Sequence, residues 1–116
     1  PESKKLKGPI NVAINQSYKI PLTFVLIGKN LYSLAYVQSK DDISHAVERA
    51  SQFVSDLMKE ESFKDINSNL ILMFPRKLAW LEKEVKASKS DGINVIALPL
   101  SKKDMFFLIR GLVHYS

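Results

Sequence analysis

Two short apolar runs, each closed by a proline, constrain this chain most. Residues 70–74 read LILMF before Pro75, and residues 93–98 read INVIAL before Pro99. Proline and the residue before it disfavour continuation as helix. Apolar runs of this length are expected to be strands buried on both faces. Between them, residues 77–89 carry Leu78, Leu81 and Val85 at helical spacing. Asp91 and Gly92 are expected to end that helix, with glycine as the left-handed residue beyond the cap. A strand–helix–strand unit of this kind is a crossover, so its two strands are expected to be parallel.

The front half alternates with period two. Residues 10–16 predict a short strand with Val12 and Ile14 on one side. Residues 20–27 predict a better one, rich in β-branched and aromatic side chains. Gly28, Lys29 and Asn30 form a tight turn, and residues 31–38 return as the second arm of a hairpin. Leu31, Ser33, Ala35 and Val37 share one face of that arm; Tyr32, Leu34, Tyr36 and Gln38 share the other. A helix is expected over 42–60, with Ile43, Ala46, Val47, Ala50, Val54, Leu57 and Met58 as its inward stripe. Asp41 or Asp42 would cap it. Its polar face carries His45, Glu48, Arg49, Gln52 and Asp56, with His45 read as a surface histidine. Residues 67–69 are expected to be a loop. Ser101 followed by Asp104 resembles a capping box for a last helix over 102–114, with Met105, Leu108, Ile109, Leu112 and Val113 inward. The order β-β-β-α-β-α-β-α predicts an α/β fold. Its central sheet is mixed, an antiparallel meander followed by parallel β-α-β units, with helices on both faces.

One domain accounts for 116 residues, with 1–9 as a flexible lead-in and 10–116 as the folded unit. Pro1 in place of an initiator methionine is what a piece excised from a longer protein would show. The chain has no cysteine, which removes disulfides, thiolate metal sites and a Cys nucleophile. It also fits an intracellular location, cytoplasmic or nuclear. No apolar run approaches the length of a membrane span, so no membrane partner is expected. The four glycines, Gly8, Gly28, Gly92 and Gly111, are isolated and build no phosphate-binding loop. No serine sits on a nucleophile elbow. Seventeen Lys and Arg against twelve Asp and Glu leave a net charge of +5, which points toward a polyanion such as nucleic acid.

The hairpin carries the most chemistry. Pro21-Leu22 opens one strand and Gln38-Ser39-Lys40 closes the next, with residues 38 and 40 on one face. This order and spacing resemble the PD-(D/E)xK nuclease superfamily, of restriction-endonuclease-like fold, across residues 20–100. The family holds divalent metal with an Asp after the proline and an acid two residues before the Lys. The Lys orients or activates the attacking water. Here Leu22 and Gln38 stand where those acids would be, and Lys40 alone matches. A leucine and a neutral amide are poor partners for hard cations. Within the family the chain is similar to XPF-type nuclease-like domains that have lost their acids and act as non-catalytic partners.

The resemblance therefore implies a non-catalytic nuclease-like domain that binds nucleic acid, DNA in the first instance, without a cofactor. Its contact residues would be Lys40, Arg76, Lys77, Arg49 and Gln52. Two alternatives stand beside it. One is an active nuclease using magnesium or manganese, in which Asp42 and Glu48 supply relocated ligands and Lys40, Gln38 and Glu48 form the catalytic set. The other is a protein-interaction or homodimerisation module built on the last helix, with Phe106, Phe107 and Tyr115, and on Trp80. Trp80 lies off the inward stripe of its helix and would pack on the lead-in or anchor a partner. Tyr32 and Tyr36 could stack on bases or pack under a helix.

Overall fold

A computed structural model describes residues 10–15 and 21–115. The elements run β1 (Ile10–Asn15), β2 (Leu22–Ile27), β3 (Asn30–Tyr36), α1 (Lys40–Leu57), β4 (Asn67–Phe74), α2 (Leu81–Ala87), β5 (Ile93–Pro99) and α3 (Lys102–Tyr115). Short 3-10 turns at Glu61–Phe63 and Arg76–Leu78 precede β4 and α2. This is the expected order. The five strands lie in that same order across one sheet. β1–β2 and β2–β3 pair antiparallel, whereas β3–β4 and β4–β5 pair parallel.

The hairpin turn needs only two residues, because Ile27 already pairs with Asn30. Gly28 takes φ +60°, a left-handed conformation that costs a side-chain-bearing residue about 1–2 kcal/mol. Alternation along the strands then sorts side chains between two cores. Leu22, Phe24, Leu26, Leu31, Ala35, Val37, Leu70, Leu72 and Phe74 meet the stripes of α1 (Ile43, Ala46, Ala50, Val54) and α2 (Leu81, Val85). Phe53 joins that layer from α1 and stacks on Phe24, with ring centroids 3.8 Å apart. On the opposite face Val25, Leu34, Met73 and Leu100 lie under Met105, Leu108, Ile109, Leu112 and Val113 of α3. Both faces of β4 are covered, as its apolar run predicts, whereas β5, also expected to be buried, is the edge strand and leaves Ile96 41% exposed.

Several local expectations are corrected. α1 begins at Lys40, not residue 42, because the cap is Ser39: its Oγ accepts from the Asp42 amide at 3.1 Å. Asp42 Oδ2 reaches back past the cap and accepts the Gln38 amide at 2.8 Å. Met58 is the C-terminal cap and 43% exposed, not inward. The helix expected over 77–89 is a 3-10 turn followed by the shorter α2. Ser88 leaves α2 in extended backbone, and its Oγ donates to the Val85 carbonyl at 2.6 Å. Gly92, at φ +78°, therefore serves the turn into β5, where Ser90 bridges Ile93, and not the helix end. Asn67–Asn69 is the start of β4, not a loop. The Asn67 amide donates to the Lys29 carbonyl at 2.7 Å, and Asn69 bonds to the Leu31 carbonyl and to Asn94. The two Asn69 bonds satisfy a polar side chain within the sheet. The expected lead-in, residues 1–9, lies outside the described residues.

Candidate nucleic-acid interface

Parallel strands β3, β4 and β5 end at one edge of the sheet. Backbone bonds hold those ends together: the Val37 amide donates to the Met73 carbonyl at 2.8 Å, and the Leu100 amide to the Phe74 carbonyl at 2.9 Å. In open α/β sheets the carboxyl ends of the strands are the usual ligand edge. Each chain segment leaving this edge carries cations. Gln38, Ser39 and Lys40 follow β3, Arg76 and Lys77 follow β4, and Lys102 and Lys103 follow β5.

Lys40 sits at the first position of α1 with Nζ 3.7 Å from Glu84 Oε2. Both side chains are exposed to solvent, so the pair holds Lys40 only weakly. Arg76 and Lys77 are exposed on their 3-10 turn. Lys102 extends over Tyr36, with Nζ 5.8 Å from the ring centroid, which joins the start of α3 to the end of β3. Burial pushes the Tyr36 phenol above its ordinary value, so it is neutral at physiological pH. Ser101 caps α3 by accepting the Asp104 amide at 3.1 Å. Tyr32 and Tyr36 are half-buried against the α3 layer, which takes up the faces that could have stacked on bases.

The structure brings Gln38, Lys40, Arg76 and Lys77 to one edge. Arg49 and Gln52 are not there. They lie nine and twelve residues along α1, roughly 14 and 18 Å from its start at about 1.5 Å per residue. Gln52 Nε2 donates to Asp56 Oδ1 at 3.1 Å. His45, read as a surface residue, is half-buried; its Nδ1 is shielded from solvent with no hydrogen-bond partner.

The side chains named for the metal-dependent alternative stand apart. Leu22 has no exposed surface and belongs to the core under α1. One oxygen of Asp42 is engaged by the Gln38 amide, and Glu48 stands six residues farther along the helix. Among the described residues no three carboxylates or imidazoles converge.

Lys102 and Lys103 were missed by the sequence reading. The signal was present, because they follow Pro99 as Arg76 and Lys77 follow Pro75. No described helix is long and apolar enough to cross a membrane. No family model, curated protein or solved structure matches the chain.

Proposed function

We propose that this chain is a non-catalytic, nuclease-like domain that binds nucleic acid through the basic carboxyl edge of its sheet. The carrying observation is that Lys40, Arg76, Lys77, Lys102 and Lys103 leave three adjacent strand ends on one side of the molecule. Cations so placed contact phosphates, which position a nucleic acid without reading its sequence. The burial of Leu22, at the position of a metal-binding acid, supports the non-catalytic half of the reading. An intracellular setting belongs to the same proposal.

The test is an anisotropy titration of labelled duplex and single-stranded DNA at two salt concentrations in EDTA, repeated in manganese and run on a gel for cleavage. Binding in EDTA should weaken with salt. Arg76→Gln with Lys77→Gln should flatten the salt dependence by about 0.7–0.9 in log–log slope for each phosphate no longer neutralised. Cleavage in manganese would refute the non-catalytic assignment. No binding to either DNA would refute the nucleic-acid assignment.

A further inference from the structure

α3 buries one stripe on the sheet and leaves a second apolar surface uncovered. Phe106 is 63% exposed and Phe107 55%, the two largest exposures among the large apolar side chains described. The inward stripe is complete without them, since Met105, Leu108, Ile109 and Leu112 fill the layer over β2–β4. Lys103 precedes the two rings by one helical turn and Arg110 follows them by one, so cations bracket the aromatics along the helix. These four residues, with Ile109 and Val113, line a shallow groove of about 530 Å³. Lys103 of the groove follows Lys102 in the chain, and Lys102 extends over Tyr36 at the end of β3.

We infer, resting on the nucleic-acid reading above, that the ligand is single-stranded and that its bases stack on Phe106 and Phe107 while Lys103 and Arg110 hold the flanking phosphates. Charge selects this occupant. On the described part of α3 the basic residues Lys102, Lys103 and Arg110 face a single carboxylate, Asp104. A second copy laid on this surface would set its own Lys103 and Arg110 against those of the first, like charge against like. A polyanion meets the cations favourably, and only an unpaired strand also offers base faces to the rings. A duplex hides those faces in its own stack and would leave both phenylalanines in water.

The experiment compares a labelled oligothymidylate of about 16 nucleotides with a duplex of equal length, for the wild type and for Phe106→Ala/Phe107→Ala. The wild type should prefer the single strand. The double variant should bind it about 10-fold or more weakly with an unchanged salt slope, because no charge is removed. Arg110→Gln should instead flatten that slope by about 0.7. Equal wild-type affinity for both DNAs, or an unaltered affinity in the double variant, overturns stacking and leaves the basic-edge reading standing. Wild type that binds neither DNA overturns both readings. Sedimentation as a dimer that the double variant dissociates would assign the face to a second copy and overturn the inference.

Discussion

Leu22 occupies the position at which the nuclease resemblance would place a metal-binding aspartate, and it has no exposed surface. Leu22→Asp therefore discriminates between a degenerate site that still has the shape of a site and a position absorbed into the core. Leu22→Ala sets the scale. Truncating a buried leucine costs about 2–5 kcal/mol. At about 4 °C per kcal/mol for a domain of this size, the melting temperature should fall by about 8–20 °C. Leu22→Asp loses about 2–3 kcal/mol of apolar transfer and adds about 1–3 kcal/mol for a polar group with no partner. The sum is comparable with the about 5–15 kcal/mol that holds a whole domain together.

The variant also gains a pH signature. In the apolar core under α1 the new carboxyl would be raised in pKa, since burial disfavours its charged form. A raised folded pKa penalises the fold as pH climbs past the unfolded value of about 3.9 and does not below it. Leu22→Asp should thus be least unstable in acid and progressively worse toward neutrality. Leu22→Asn should show no such slope. Urea unfolding followed by circular dichroism at several pH values measures all three. A Leu22→Asp protein melting within about 2 °C of wild type at neutral pH, or one that gains stability on adding magnesium, would refute the reasoning.

Three further outcomes follow from local geometry. Ser39→Ala should cost about 1 kcal/mol in denaturant unfolding, because it removes the acceptor for the Asp42 amide, and Ser39→Asp should restore most of it. The Tyr36 phenol should ionise later than the ordinary 10.0. Below that pH folded and unfolded states are both neutral, and above it the unfolded chain ionises first. Stability should therefore decline as pH rises past 10.0, and Tyr36→Phe should remove the late component of the phenolate absorbance titration. Trp80 is 52% exposed, so acrylamide should quench its fluorescence in the native state and Trp80→Ala should change stability by no more than about 0.5 kcal/mol.

What the sequence made legible was periodicity, and what it hid was proximity. Leu31, Ala35 and Val37 go to one core and Tyr32, Leu34 and Tyr36 to the other because strand side chains alternate whatever lies beside them. The α1 stripe was readable for the same reason. Phe53 was passed over although it stacks on Phe24, because it lies at the margin of the stripe and its partner is on another element. The asparagines at 67 and 69 read as a loop because their partners, Asn94 and the carbonyls of Lys29 and Leu31, are remote in sequence.

The candidate interface follows the same division. Arg49 and Gln52 share a polar helix face with Glu48 but stand partway down α1, away from Lys40. Lys102 is far from Lys40 in sequence, yet it arrives at the same edge. α3 starts beside β4, where Leu100 bonds to Phe74, and crosses over β3 rather than staying above β5. That crossing sets both halves of the proposed interface. It carries Lys102 from the end of the last strand to the end of β3. It also turns Phe106 and Phe107 outward, because the face of α3 that meets the sheet is already filled. A helix lying over β5 alone would cover Ile96, which instead stands 41% exposed. The basic edge and the aromatic surface are thus two consequences of one packing choice.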